Sequence, residues 1–417
     1  MFRIRQYMKM FLQNIFLPLV YAWYARKSIQ PGLVIFADAH HEEIPFSMRR
    51  MYEEVLRRAG EDAQAERSTK QAGEDVQDGR STKQAGEDVQ DGRSTKQAGE
   101  DTQIGRNLAV QVFVQDFGKM PYSQMVKYLI KFMKQYAVAE YVFICDYYLP
   151  VASCKKRPET TVVQLWHSCG LMKKIAYDAG DDIPANYRGN MFGNYTYLTL
   201  SAEICVPVHA RALRLPQERI RATGVSRTDY YFDDDWNNRC REAFYEQHPD
   251  ARGKKIALWA PTFRGNAAHP VLCGLEAVQE SSKALEPEWY FIIKAHPHID
   301  AHGQVSNCQI PTEELLCVAD VLITDYSSVM FDYLIYEKPL VLFAPDLEEY
   351  EDGRGFYIDY AAMPFPITQN AAQLIQEVKH SREKSEQQTE TLREWKELYT
   401  GACDGHSSQR ILDMIGL

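Results

Sequence analysis

Short apolar runs alternate with amphipathic segments along most of the chain. In the first half, runs rich in β-branched and aromatic residues lie at 33–37, 108–114, 141–144, 161–165 and 195–200. Helical patterns separate them at 47–58, 123–136 and 205–214. A second series predicts strands at 256–259, 290–293, 321–323 and 340–343. Short apolar runs of this kind are typical of buried parallel strands. Their alternation with helices predicts an α/β protein with two Rossmann-like domains and an interdomain cleft.

The same pattern divides the chain of 417 residues, which is long enough for two cores. We predict an amphipathic membrane-associating segment, an N-terminal Rossmann-like acceptor domain, a C-terminal Rossmann-like nucleotide-binding domain, and helices that pack across both domains. Their bounds are 1–30, 31–215, 216–370 and 371–417.

The N-terminal segment is rich in Met, Phe, Leu, Tyr and Trp between residues 7 and 24, but Lys9, Gln13, Asn14 and Pro18 interrupt it. A spanning helix needs about 20 mostly apolar residues. The segment instead predicts a helix lying on an anionic membrane surface, with its cations near the head groups. The alternative is a helix packed on the protein's own core.

A tandem repeat interrupts the first domain at 59–106, where the unit at 68–80 recurs identically at 81–93. Stacked repeats need an apolar face to bury, and this unit has almost none. We therefore expect a disordered insertion. A binding array is the alternative.

Composition narrows the class of protein. The net charge of −10 argues against a nucleic-acid-binding surface, which is normally basic. The 9 cysteines lack the spacing of metal ligands, so we expect reduced thiols in a cytosolic protein and no metal site.

Polar motifs follow three of the predicted strands, at 164–170, 294–298 and 324–328. In open α/β sheets, ligands bind beyond the carboxyl ends of the strands. The motifs therefore predict one catalytic cleft. His167 lies in the first motif and titrates near neutrality, so it is the candidate general base. A structural Trp-His pair is the alternative for it.

The second-half motifs suit an anionic ligand. Arg264 supplies a planar fork for phosphate oxygens, and His296 or His298 can donate to a developing anion, with Lys294 adding charge. A surface turn is the alternative.

Ser327 and Ser328 begin a predicted helix, whose free N–H groups suit a diphosphate, and Asp332 is placed to reach a ribose hydroxyl. Helix capping is the alternative for the two serines. The absence of GxGxxG and GxxxxGK[ST] patterns disfavours a dehydrogenase-type dinucleotide fold and a P-loop.

Together these residues resemble the CDP-glycerol glycerophosphotransferase family, which contains teichoic acid primases and polymerases. The resemblance covers about 32–360, apart from the repeat. It depends on 164–170 with Lys173 and Lys174, and on 224–229, 260–265, 294–297 and 323–332. Two motifs differ from the family pattern. His167 precedes Ser-Cys-Gly, where the family often has Gly-Thr or Ala-x-Gly, and Ser226 stands where the family usually has proline.

The resemblance implies a GT-B arrangement and a peripheral enzyme on the cytoplasmic face of the cell membrane. It implies transfer of polyol phosphate, glycerol phosphate foremost, from a CDP-alcohol to a lipid-linked saccharide or polyol-phosphate acceptor, with release of CMP. His167 is the implied base, and His296 and Arg264 stabilise charge. The implied donor-binding residues are Lys173, Lys294, Thr324, Asp325, Ser327, Ser328 and Asp332. No cofactor or metal is implied.

Two other classes stay open at this point. One is a GT-B sugar transferase or sugar-nucleotide epimerase, which shares paired domains and a nucleotide ligand. The other is a catalytically silent, membrane-associated binding protein that uses the repeat for interaction. Ribitol against glycerol phosphate, one transferred unit against many, and homo-oligomer formation are also open.

Overall fold

The computed structural model describes residues 10–60, 107–180, 182–183, 190–266, 269–295, 308–383 and 385–417. The repeat units at 68–106 and the predicted site residues His296 and His298 lie outside this set.

The first half forms a parallel sheet of six strands in the order β2-β1-β3-β4-β5-β6. The strands are β1 (Gln30–Asp38), β2 (Ala109–Val114), β3 (Ala139–Ile144), β4 (Thr161–Gln164), β5 (Tyr197–Thr199) and β6 (Ile220–Arg221). The helices are α1 (Leu17–Tyr24), which follows a π-helical turn at Leu12–Phe16, α2 (46–60), α3 (Tyr122–Tyr136), α4 (Leu149–Ala152) and α5 (Cys205–Leu213). The predicted strands and helices of this half are confirmed to within about three residues.

Both faces of this sheet are covered, which explains its continuous apolar strands. Along β1, Leu33 and Ile35 belong to the cluster on one face, and Val34 and Phe36 to the cluster on the other. Successive side chains of a strand point to opposite faces, so only a sheet buried on both sides needs such a run.

The second half forms a five-stranded parallel sheet in the order β10-β7-β11-β12-β13, beside a β8-β9 hairpin. Its strands are β7 (Lys255–Trp259), β8 (Arg264–Asn266), β9 (His269–Val271), β10 (Trp289–Ile293), β11 (Val321–Thr324), β12 (Leu340–Phe343) and β13 (Ile367–Thr368). Its helices are α6 (Asp234–Gln247), α7 (Leu275–Leu285), α8 (Thr312–Leu315), α9 (Val329–Leu334), α10 (Leu347–Gly353) and α11 (Ala371–His380). The prediction of an α/β fold with parallel sheets is confirmed.

Two C-terminal helices connect the two sheets. Helix α12 (Glu386–Thr400) packs against α9, and α13 (Ser407–Ile415) returns to the first sheet, where Ile411 and Leu412 are fully buried. The carboxylate of Asp229 accepts hydrogen bonds from the Ser407 and Ser408 amides at 2.9 and 2.8 Å. Gly224 has a φ of 83°, and a β-carbon there would lie 2.1 Å from the Ser407 hydroxyl. The turn at 224–229 therefore docks the end of the chain.

The N-terminal helix has two different sides. Leu17 and Tyr21 are buried, and the Tyr21 ring lies 5.1 Å from the Tyr136 ring of α3. The other side exposes Phe11, Ile15, Leu19 and Trp23, which recur every four residues and form one stripe. Among the described residues, no helix is long and apolar enough to cross a membrane.

Candidate active site

The loop after β4 carries His167 into the space between the two sheets. Trp166 has a φ of 61°, a left-handed conformation that is rare for a bulky side chain and marks a constrained turn. Gly170 also has a positive φ, and a β-carbon there would lie 2.4 Å from the Phe331 ring of α9. The loop is thus held at both ends, and only glycine fits at the second.

Asp146 and a backbone carbonyl orient the His167 ring. Nδ1 of His167 lies 3.2 Å from an Asp146 carboxylate oxygen and 3.3 Å from the Cys145 carbonyl oxygen. Both neighbours accept hydrogen bonds, so the neutral ring carries its proton on Nδ1 and leaves Nε2 free to accept one. This carboxylate-histidine arrangement is the one that orients a general base.

Histidines on either side of Trp166 differ in their electrostatics. Desolvation by the surrounding protein atoms opposes protonation of His167 although its side chain is partly exposed, but the hydrogen bond and charge of Asp146 raise its pKa above the ordinary value. Burial lowers the pKa of His209 to about 4, and its Nδ1 lies 2.9 Å from the Cys205 carbonyl oxygen. Of the two, His167 is therefore the histidine whose surroundings favour the protonated ring, whereas burial keeps His209 neutral.

Replacing Asp146 with asparagine should shift the pH dependence of turnover. A base works in its neutral form, so activity rises with pH through the pKa of His167. Asp146 raises that pKa, and its removal should move the acidic limb of kcat/KM to lower pH. The plateau of kcat should fall by about 10–100-fold, since the ring loses its orienting partner.

The test is kcat/KM measured across pH for the parent enzyme and for Asp146→Asn. Asp182→Asn is the matched control, because Asp182 lines the same cavity but pairs with Arg354 at 2.8 Å. An acidic limb that stays in place in Asp146→Asn would show that His167 does not set it.

A cavity of 470 Å³ opens in front of His167, and its lining includes residues from both halves, among them Lys173, Ser328 and Arg354. Burial lowers the pKa of Lys173, an effect that the nearby Asp325 opposes. The Lys173 ammonium has no hydrogen-bond acceptor among the described residues. A partly buried ammonium without a partner favours an anionic ligand. The structure thus brings together three of the predicted site residues, His167, Lys173 and Ser328.

The other predicted residues make internal contacts instead. The Arg264 guanidinium forms a two-pronged contact with Asp346 at 2.6 and 2.9 Å, and a further contact with Asp325 at 2.9 Å. The Asp325 carboxylate is buried and also accepts from the Thr262 amide at 2.8 Å. A phosphate would have to displace a carboxylate to reach this guanidinium.

Three predicted residues of the second half have their polar groups bonded to nearby backbone. Thr324 is fully buried and donates to the Ala260 carbonyl at 2.7 Å. Ser327 accepts from the Val329 amide at 3.3 Å, a contact within the turn before α9, and the N-cap residue Ser328 makes no side-chain capping hydrogen bond. The Lys294 ammonium donates to the Cys308 carbonyl at 2.7 Å.

Asp332 does not face the cleft. It is 2% exposed, and its carboxylate lies 2.8 Å from the Arg227 guanidinium and accepts from the Cys169 thiol at 3.5 Å. The expected ribose contact is not available in this conformation, because both carboxylate oxygens have partners within the protein. Substrate contacts by Arg264, Thr324, Asp325 and Asp332 therefore stay predictions that require rearrangement.

A second carboxylate-histidine pair lies beside the first. Nδ1 of His41 is 2.8 Å from a carboxylate oxygen of Asp38, at the end of β1. The hydrogen bond that the Asp38 carboxylate accepts from the His41 ring raises the pKa of His41. Possible ligand atoms of Asp38, Cys145 and Asp146 lie within 4.8 Å of one another, the one such group among the described residues. These residues are the candidates for holding a cation, although both carboxylates already accept from histidine.

Asp146, Asp38, His41 and Arg354 were missed by the sequence reasoning. A signal for two of them was present, since Asp38 ends β1 and Asp146 follows β3 by two residues. A single aspartate at a strand end, however, is not singled out by sequence alone.

The two sheets, the oriented histidine and the cavity for an anion define a group-transfer enzyme of α/β fold. The family model described as CDP-glycerol:poly(glycerophosphate) glycerophosphotransferase matches residues 112–417. The chain belongs to that family, and the predicted family and enzyme class are confirmed. It is accordingly a polyol-phosphate transferase.

Curated relatives include both primases and polymerases. The teichoic acid ribitol-phosphate primase of Bacillus spizizenii is 30% identical over 295 residues, which cover 67% of this chain and 75% of the primase. The teichoic acid glycerol-phosphate primase of Bacillus subtilis is 28% identical, over 66% of this chain and 73% of that protein. The teichoic acid poly(ribitol-phosphate) polymerase of Bacillus spizizenii is 31% identical, and the chain spans 48% of its length.

Solved structures support the fold. The wall teichoic acid polymerase TagF aligns with a TM-score of 0.64 at 19% identity, over 99% of this chain and 96% of that chain. A UDP-GlcNAc 2-epimerase from Neisseria meningitidis aligns with a TM-score of 0.50 at 11% identity, over 92% of this chain and 98% of that chain. The epimerase alternative therefore shares the fold, whereas the family assignment favours the transferase.

Proposed function

We propose that the enzyme transfers polyol phosphate from a CDP-alcohol to a hydroxyl of a teichoic acid or related envelope acceptor. The observation that carries the proposal is the 470 Å³ cavity, in which His167 and Lys173 from the first half meet Ser328 from the second. It combines a base, a cation with no hydrogen-bond acceptor among the described residues, and a hydroxyl donor, groups that suit phosphoryl transfer without a P-loop.

In the proposed reaction, Nε2 of His167 takes the proton of the acceptor hydroxyl as its oxygen attacks the β-phosphorus of the donor. A new phosphorus–oxygen bond forms to the acceptor, and the bond from the β-phosphorus to the bridging oxygen breaks. CMP leaves with the electron pair of that bond. The proton on His167 then passes to solvent, which the exposed ring allows: 45% of its side chain is accessible.

Lys173 and the Ser328 hydroxyl are the proposed donor-phosphate contacts. Ser328 lies in the turn before the six-residue α9. So short a helix contributes little dipole, and we assign the electrostatic role to the Lys173 ammonium. His296 stays a proposed charge stabiliser. Arg264 would join it only if the donor phosphate displaces Asp346 or Asp325.

We also propose the GT-B arrangement, with the two sheets as the two domains and closure assembling the site. The support is that residues from both halves line the cavity.

The donor assay tests this function. The purified enzyme is incubated with CDP-glycerol, CDP-ribitol or a UDP-sugar, together with a lipid-linked disaccharide, and the released nucleotide and the product mass are measured. We expect CMP from a CDP-alcohol, and the preferred donor identifies the polyol. Release of UDP or UMP with no CDP-alcohol turnover would exclude the proposal in favour of sugar chemistry.

The exposed stripe at Phe11, Ile15, Leu19 and Trp23 supports peripheral binding to the cytoplasmic face of the membrane. The Arg26 guanidinium lies 4.8 Å from the centroid of the Trp23 ring, so a cation stands beside the stripe. An apolar stripe flanked by cations suits the boundary of an anionic leaflet.

Replacing both Leu19 and Trp23 with glutamate should lower the affinity for anionic vesicles by at least about tenfold. Burying each apolar side chain in the membrane contributes roughly 1.5–3 kcal/mol to binding, and the double variant loses both contributions. Co-sedimentation with vesicles of phosphatidylglycerol measures it. Gln376→Glu adds the same type of charge on the exposed side of α11 and should leave binding unchanged. Undiminished binding of the double variant would show that the stripe does not contact the membrane.

A further inference from the structure

An apolar groove lies between the N-terminal helix and the catalytic edge of the first sheet. Its volume is 420 Å³, and its apolar lining includes Leu12, Phe117, Met125, Leu129 and Leu149. Leu129 belongs to the core, whereas Phe117, Met125 and Leu149 are only partly buried and present apolar surface to the groove. Predominantly apolar cavities of this size are typical of sites for small apolar ligands.

The lining of the groove combines apolar and polar groups. Leu12 lies on the helical segment that carries the exposed stripe, whereas His40 and Asp116 contribute an imidazole and a carboxylate. The ligand that matches this lining has both an apolar chain and a polar group.

The groove is continuous with the site already described. His40 and Asp116 also line a 510 Å³ polar cavity that includes Asp146, and Tyr147 lines both the groove and the His167 cavity. Asp146, which orients His167, is the neighbour of Tyr147 in the chain. A chain lying in the groove would thus carry its polar end towards the catalytic base.

We infer that this groove binds the hydrocarbon chain of an amphiphilic acceptor next to its reacting head group. The inference rests on the proposed function for the identity of the head group, but the groove itself is argued from its lining and continuity. The apolar stripe on the N-terminal helix would hold the enzyme at the lipid surface. The groove would then bind the hydrocarbon chain of one acceptor molecule from that surface. Apolar burial then contributes to acceptor binding and leaves donor binding unchanged.

Kinetics with two acceptors of identical head group, one carrying a long hydrocarbon chain and one a short water-soluble chain, test the groove. Both are supplied in detergent, so that membrane binding does not contribute. Met125→Trp fills the groove and should raise KM for the long-chain acceptor by about tenfold, or about 1.4 kcal/mol. KM for the short-chain acceptor and for the donor should change less than about twofold. Leu149→Trp repeats the test from a different helix.

The matched control is Gln124→Trp, which places the same side chain on the exposed neighbour of Met125 in α3. It should alter neither acceptor, and melting temperatures verify that each variant is folded. Equal effects of Met125→Trp and Leu149→Trp on both acceptors, or none on either, would overturn the groove assignment.

Photolabelling tests whether a hydrocarbon chain binds in the groove, and it does not require turnover. A long-chain alcohol bearing a diazirine is cross-linked to the protein, and the labelled residues are mapped by mass spectrometry. We expect label at 116–129 or 147–149, lost in Met125→Trp; label confined to 11–23 would overturn the proposal. If the groove is labelled but no CDP-alcohol is consumed, the proposed function fails and the groove stands.

Discussion

Replacing His167 with alanine should lower kcat for CMP release by about 10²–10⁴-fold, the usual contribution of a general base. The ring accepts the proton at Nε2 while Asp146 holds Nδ1 at 3.2 Å, and alanine provides neither function. The His167 side chain is 45% exposed, so its loss should leave the melting temperature almost unchanged. Nucleotide release under donor and acceptor saturation measures the change.

His380→Ala is the control for this experiment, because His380 is an exposed histidine at the end of α11. It should retain full activity. His167→Gln keeps a polar side chain of similar reach but supplies no base, so it should be as inactive as the alanine variant. Activity of His167→Gln near the parent value would assign this residue to binding rather than proton transfer.

Removing the Asp332 carboxylate should have the largest effect on stability. The side chains of Arg227 and Asp332 are 12% and 3% exposed, and their charged atoms lie 2.8 Å apart. Asp332→Ala leaves a guanidinium buried without compensation, which costs about 3–5 kcal/mol. Chemical denaturation of the full chain should show this loss, and thermal unfolding should begin at a lower temperature.

The double variant Arg227→Met/Asp332→Leu separates charge burial from packing. It removes both charges, so most of the lost stability should return, since buried ion pairs are often replaceable by apolar side chains. Glu288→Ala provides a control, because the Glu288 side chain is 65% exposed and pairs with Lys255 at 3.4 Å. Equal destabilisation by Asp332→Ala and by the double variant would show that shape, not charge, matters there.

The strands of both sheets were predictable because the apolar pattern that marks a buried strand lies within a few consecutive residues. β4, β7 and β11 are short apolar runs buried on both faces, and this pattern is visible without any knowledge of their neighbours. The two-residue strands β6 and β13 were not predicted, because they carry too little pattern and form only beside a completed sheet edge. The hairpin of β8 and β9 was missed for the same reason.

The candidate site was less predictable, since pairing between charges is set by the tertiary fold. Arg264 looks equally suited to a phosphate and to a carboxylate, and in the structure Asp346 and Asp325 hold it. Asp332 was predicted to bind a ribose because of its position after a turn, yet in the structure its carboxylate pairs with Arg227. His167 was identified because its motif is compact, whereas its partner Asp146 lies in the loop after a different strand, β3.

Docking of α13 onto the first sheet bears on synthesis of the chain. Ile411 and Leu412 complete the cluster that also contains Val34 and Phe36. These early strand residues emerge from the ribosome long before their C-terminal partners exist. The first half therefore cannot close this face until α13 has been synthesised, and its apolar surface stays open until then. Final folding of the first half should wait for α13, with a period of dependence on chaperones.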